Sequence, residues 1–313
     1  MTYSILFIFL DGVGLGPAHP QHNPLALRSL PSFERLFGNQ RWTSEAAAVD
    51  LPGHIVRSID ARLGVEGLPQ SGTGQATLFT GVNCAKVAGR HYGPFPHSKT
   101  RPLLATVNIF QQILSLGLPF DEPVVFANAY PDRFFSYVRQ TNRWTVTTLC
   151  CLEAGLRIRT HRDLLDGRAL PADLTGRSWP QPDAALPPIS EDEAGRRLVR
   201  MAGAHAFTLF EYFLTDKAGH SRSQDRAFQT LHALDRFFEG ILSAFDPDRG
   251  LLLITSDHGN LEDLSTKSHT SNPVPLIAYG RGAARFAAVR DLTGLTPVIV
   301  QALRDAAAES AAA

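Results

Sequence analysis

Apolar positions along this chain fall into two rhythms. Short continuous runs bounded by Gly, Pro, Asp or Asn read as strands buried on both faces, at residues 4–10, 124–129, 206–213, 251–255 and 274–279. Between them, apolar residues recur at helical spacing over 102–116, 191–204, 223–245 and 295–308, and a shorter helix over 73–81 opens from a Ser-Gly-Thr-Gly turn. Ser190 with Glu193 predicts a capping box at the start of the second of these, and Pro297 fits the first turn of the last. Strands separated by helices predict an α/β fold, a mostly parallel sheet sandwiched by helices.

The rhythm changes between Pro131 and Pro188. That stretch holds eight arginines (Arg133, Arg139, Arg143, Arg157, Arg159, Arg162, Arg168 and Arg177), no lysine, and several prolines near its end. It reads as a small cap, 131–188, inserted into a discontinuous core of 1–130 and 189–313. An arginine-rich cap suits an anionic substrate, because guanidinium grips carboxylate and phosphate in a two-pronged fashion. Arg133, close behind the second strand, is the candidate substrate-binding residue.

Composition narrows the function. With 44% hydrophobic residues the chain can fill a core, so wholesale disorder is excluded. Thirty basic and thirty acidic residues leave no net charge, which disfavours a nucleic-acid coat or an anionic-membrane binder. The first apolar run has only seven residues, ends at Asp11 and lacks a basic segment before it, so it predicts neither a signal peptide nor a membrane span. Three cysteines, two of them adjacent and none in a Cys-x-x-Cys pair, fit a reduced cytoplasmic chain.

The chemistry lies where acids and histidines meet strand ends. Asp11 follows the first strand directly. Asp216 and His220 follow the third, Asp257 and His258 the fourth, and His269 precedes the fifth. Singly, each reads equally well as a turn, cap or scaffold residue. Jointly they point elsewhere, because open parallel sheets bind ligands beyond the carboxyl ends of their strands. Mixed imidazole and carboxylate donors suit zinc or manganese, and six side chains suffice for two ions with three protein ligands each. Two divalent ions against three aspartates leave one positive charge, which a serine alkoxide would neutralise and an arriving phosphate would meet. The serine is available in Gln70-Ser71-Gly72-Thr73-Gly74-Gln75, where small residues and a helix start favour an oxyanion; the same turn also reads as a plain N-cap by Ser71 or Thr73.

The ordered motifs Phe-Leu-Asp11-Gly-Val-Gly, Ser71-Gly-Thr-Gly, Asp216-x-x-x-His220, Asp257-His258-Gly-Asn and His269-Thr-Ser-Asn-Pro-Val-Pro resemble the metalloenzyme branch of the alkaline phosphatase superfamily, nearest to cofactor-independent phosphoglycerate mutase and phosphopentomutase. The resemblance covers about residues 2–93 and 191–302. It implies one metal held by Asp216, His220 and His269 and a second by Asp11, Asp257 and His258. It further implies that Ser71, the nucleophile and a ligand to the second metal, takes the phosphoryl group. Two departures stand out: the insert is far smaller than that of the bacterial mutases, and Gln75 stands where phosphomutases tend to have His.

The expected activity is two-metal-dependent phosphoryl transfer from a small phosphorylated metabolite through a phosphoserine. A phosphatase results if water opens the intermediate, a phosphomutase if another hydroxyl of the retained substrate does. A non-catalytic metal-binding protein is the alternative from another class. A sulfatase is disfavoured because neither Ser71 nor any cysteine is followed by x-Pro-x-Arg, and a dinucleotide binder because Pro17 breaks the Gly12-Val-Gly14-Leu-Gly16 fingerprint.

Overall fold

The structure is a computed structural model that describes residues 3–180 and 186–312. A single seven-stranded sheet runs through it, built from β1 (Ser4–Leu10), β2 (Val49–Leu51), β3 (His54–Ile59), β4 (Val124–Phe126), β5 (Phe207–Tyr212), β6 (Gly250–Ser256) and β7 (Val274–Gly280). The spatial order is β2-β3-β7-β6-β1-β5-β4. Strands β4, β5, β1 and β6 are parallel neighbours, whereas β7 is antiparallel to β6, β3 to β7, and β2 to β3. The α/β architecture is as expected, with five strands sharing one direction and β7 and β2 reversed.

The continuous apolar runs have the cause read from the sequence. Along β1, Ile5, Phe7 and Phe9 face one hydrophobic core while Leu6, Ile8 and Leu10 face a second on the other side of the sheet. On the first face lie helices Ser71–Thr80, Val146–Glu153 and Leu295–Ala312; on the second lie Glu191–Ala202 and Gln224–Ala244. No described helix is long and apolar enough to cross a membrane.

Several local expectations are corrected. Strands β2 and β3 were not anticipated, because β2 is a three-residue exposed edge and His54-Ile-Val-Arg-Ser-Ile59 lacks a continuous apolar run. The helix expected over 102–116 is two, Arg101–Thr106 and Ile109–Leu114. Asn108 divides them, its side chain accepting from Phe110 N (3.0 Å) and Gln111 N (3.2 Å) as an N-cap. Ser190 does cap its helix, but Glu193 pairs with Arg196 and Arg200, so only one arm of the expected box forms. Strand β4 stops at Phe126; beyond it Asn128 extends the contact with β5 by its side chain, donating to Glu211 O (2.7 Å) and accepting from Glu211 N (2.8 Å).

Within 131–188, the Val146–Glu153 helix joins the core of the first face. Ala129, Leu164, Ala169, Trp179 and Leu186 form a separate small cluster.

Candidate metal centre

The six predicted donors converge at one rim of the sheet. Asp11 steps off β1, and Asp257 and His258 step off the adjacent β6. After β5 the chain enters helix Leu214–Ser221, which presents Asp216 and His220 one turn apart on a single face. His269 joins them because β7 is reversed: its starting end lies where its antiparallel neighbours β6 and β3 finish.

Two groups of donors lie side by side. Ligand atoms of Asp11, Asp257 and His258 lie within 4.8 Å of one another, as do those of Asp216, His258 and His269. His220 Nε2 is 3.3 Å from Asp216 Oδ2 and 3.2 Å from His269 Nε2. His258 belongs to both groups, and its ring stacks on that of His269 at 3.8 Å. Ser71 is the first residue of helix Ser71–Thr80, with Gln70 and not Ser71 or Thr73 at the N-cap, and its Oγ lies 2.9 Å from His258 Nε2.

The imidazoles are oriented from behind. Nδ1 of His220 lies 3.0 Å from Lys267 O, that of His269 2.8 Å from Pro69 O, and that of His258 3.3 Å from Gly259 O. A carbonyl can only accept, so each Nδ1 carries a proton and each Nε2 points into the cluster, where it offers a lone pair to a cation once it carries no proton of its own. Asp11 Oδ1 and Asp257 Oδ2 are buried without a hydrogen bond, although His258 Nε2 stands 3.3 and 3.5 Å away. Buried carboxylate oxygens crowded together are costly unless positive charge, from protons or from a cation, balances them. The donor set therefore fits divalent cations.

Proton affinities carry the same message. Burial, reinforced by Asp257, raises the Asp11 carboxyl well above its usual range, and burial raises Asp257. Burial alone would lower His258, but Asp257 and Asp11 outweigh it and hold it at about 10. Burial and the neighbouring His258 push His269 down to about 4.

Glycines permit this crowding. Gly12 has φ +70°, and a Cβ there would lie 2.7 Å from Asp216 Oδ1. A Cβ on Gly74 would lie 2.9 Å from Asp257 O, so the Ser71 helix approaches the end of β6 only because that side chain is absent.

Sequence reasoning missed the support beneath the donors. Glu262 is buried and accepts from Gly14 N and Asn260 N, each at 2.8 Å, from Asn272 Nδ2 at 3.1 Å and from the Thr270 hydroxyl. It ties together the loops carrying Asp11, His258 and His269. It also explains the Gly12-Val-Gly14-Leu-Gly16 spacing, since a Cβ on Gly14 would lie 2.3 Å from its carboxylate. Asn260 Nδ2 donates to Asp216 Oδ1 at 2.6 Å and Gln75 Nε2 to Asp11 Oδ2 at 3.3 Å. Glu211, buried at the end of β5, is held up at about 7 by burial. The Asp-His-Gly-Asn motif pointed towards Asn260; nothing local marked Glu262 or Glu211.

The arginines of 131–188 divide into two kinds. Arg157, Arg159 and Arg168 converge on buried Asp163, at 2.6, 3.5 and 3.6 Å, and Arg159 also meets Glu122. Arg162 pairs with Asp166 and Arg177 with Glu191. These bind protein. Arg133 is exposed, lies apart from the donor cluster and lines a cleft of about 290 Å³ with Lys217 and Trp179.

The chain is also similar to known proteins. A family model described as Metalloenzyme superfamily matches residues 185–305, which include Asp216, His220, Asp257, His258 and His269. The 2,3-bisphosphoglycerate-independent phosphoglycerate mutase of Yersinia pestis (strain Pestoides F) is 31% identical over 123 residues, 36% of this chain and 24% of that protein. The match thus spans about a quarter of that relative's length. The PH0037 protein from Pyrococcus horikoshii superposes with a TM-score of 0.57 at 13% identity, over 98% of both chains. Thermus thermophilus alkaline phosphatase does so at 0.52 and 14% identity, over 98% of this chain and 95% of that one. At such identities the structural likeness speaks for the fold. Residues 185–305 thus match the Metalloenzyme superfamily model, and the chain shares its fold with the alkaline phosphatase of Thermus thermophilus.

Proposed function

We propose that this chain is a two-metal-dependent phosphoryl-transfer enzyme, a phosphatase acting on a small phosphorylated metabolite through a phosphoserine at Ser71. The observation that carries the reading is the position of Ser71 Oγ, at the start of a buried helix and 2.9 Å from His258 Nε2, within the converging donors. Asp216, His220 and His269 would hold one ion and Asp11, Asp257 and His258, with Ser71, the other; manganese or zinc suits these donors. Divalent ions there supply Lewis-acid charge that lowers the serine hydroxyl's pKa and offsets the charge of the phosphate.

The chain's own groups do the rest. The amino end of the Ser71 helix favours the phosphate's negative charge. Ser71 Oγ forms a bond to phosphorus, its proton passes to water, and the bond from phosphorus to the ester oxygen breaks; the departing alkoxide takes a proton and leaves as the alcohol. Water then attacks phosphorus, the bond to Ser71 Oγ breaks, and the serine recovers its proton. The sum is ester plus water giving alcohol plus inorganic phosphate. We assign the 131–188 stretch the role of a cap that selects the substrate.

A phosphomutase, in which a hydroxyl of the retained product replaces water, has support in the name of the Yersinia relative. One experiment separates the readings. Manganese- or zinc-loaded protein is given a panel of phosphorylated metabolites, with paired assays for released phosphate and for isomeric product. We expect phosphate release that excess chelator abolishes and metal restores. Isomer without phosphate would establish the mutase, and full activity in chelator would end the two-metal reading.

A further inference from the structure

Lys217 and Arg133 line the same cleft. Lys217 directly follows Asp216 in helix Leu214–Ser221, and Arg133 lies in the first turn of helix Asp132–Thr141. Between them the cleft of about 290 Å³ has aromatic walls from Tyr130, Trp179 and Phe213. That volume accommodates one ring with small substituents.

The charge in the cleft is not spent on the protein. Both cations are exposed, and among the described residues neither reaches a carboxylate, unlike the arginines gathered around Asp163. The Lys217 ammonium sits 4.6 Å over the Phe213 ring, which steadies it at the cleft wall. The acid in the lining, Asp173, is turned to backbone, accepting from Gly176 N (2.9 Å) and Ser178 N (2.7 Å). Two cations against one engaged carboxylate leave a positive cleft with flat apolar walls. The helix that carries Asp216 and His220 also lends Leu214 and Lys217 to the cleft wall, so the cleft borders the element that holds two of the donors.

We propose that this cleft binds the alcohol portion of the substrate, and that this portion is a flat ring bearing a carboxylate held by Lys217 and Arg133. The proposal rests on the phosphoryl-transfer reading for its orientation, while its recognition chemistry is independent of turnover. The first measurement is therefore calorimetric binding of 4-hydroxybenzoate and of phenol to metal-free protein. The carboxylate compound should bind about tenfold more tightly, the scale expected for two partly exposed cations. Lys217→Met and Arg133→Met should each remove part of that preference, and the double variant nearly all of it.

The second measurement compares kcat/KM for 4-carboxyphenyl phosphate and phenyl phosphate in metal-loaded protein. We expect the same preference, expressed in KM, and Lys217→Glu should reverse it. The ratio is unaffected by the fraction of misfolded protein, since both substrates are read on one sample. Equal binding of the two alcohols by the wild type, or a preference that survives in the double variant, overturns the proposal. Preferential binding of the carboxylate without turnover of either ester supports the cleft and sinks the phosphatase reading instead.

Discussion

Replacing Glu262 by alanine tests whether the site is held from beneath. The carboxylate is 1% exposed and takes four hydrogen bonds, two of them from main-chain amides at 2.8 Å. The Thr270 and Asn272 side chains can turn towards other partners; the amides of Gly14 and Asn260 cannot. A buried donor left unpaired costs about 1–3 kcal/mol. Two such amides, partly relieved by water entering the space, place the loss at roughly 3 kcal/mol. Urea unfolding in the presence of chelator measures it. Glu262→Gln keeps one accepting oxygen but turns an NH2 towards other donors, so it should fall between the two. The loops that move carry Asp11, His258 and His269, so metal affinity, read by competition with a chromogenic chelator, should drop about 10–100-fold. An unchanged unfolding midpoint refutes the energetic argument. A lowered midpoint with unchanged affinity refutes the claim that Glu262 positions the donors.

Three further outcomes follow from the same geometry. Ser71→Ala should eliminate the acid-stable phosphoprotein trapped after brief exposure to substrate; labelling that persists would transfer the nucleophile to another residue, Thr73 first. Gly12→Ala adds a Cβ 2.7 Å from Asp216 Oδ1 at a φ of +70°, with about 1–2 kcal/mol of backbone strain, so bound metal measured by emission spectrometry should fall while circular dichroism is preserved; full metal content would contradict the packing. Glu211 loses its proton near 4.5 when unfolded but near 7 when folded, so the folded form binds more protons between those values. Wild-type stability in chelator should therefore decline relative to Glu211→Gln as pH rises from about 4.5 to 7 and run level above that window; parallel curves across it would show that Glu211 is not buried as an acid.

Much of the site was legible because strand ends are local events. A run such as Ser4–Leu10 that stops at Asp11 has to leave the sheet there, and Gly250–Ser256 followed by Asp257 and His258 repeats the pattern next door. The spacing of Asp216 and His220 needs only helical geometry to face one way. By contrast, β2 and β3 escaped notice because an exposed edge strand carries no continuous apolar signal. The arginine-rich stretch suits an anionic substrate by composition, whereas five of its eight arginines are paired with Asp163, Asp166, Glu122 or Glu191.

The amino-acid sequence by itself determined which side chains can donate to a metal, which hydroxyl accompanies them, and that strands and helices alternate around them. These properties depend on residue type and on neighbours within a few positions. Only the tertiary structure decided that β7 runs backwards and so delivers His269 to the rim, that Glu262 binds three loops together, and that Lys217 and Arg133 share one cleft. Each of these joins segments distant along the chain, and such pairings follow from how whole faces pack against the sheet, which short-range patterns do not encode.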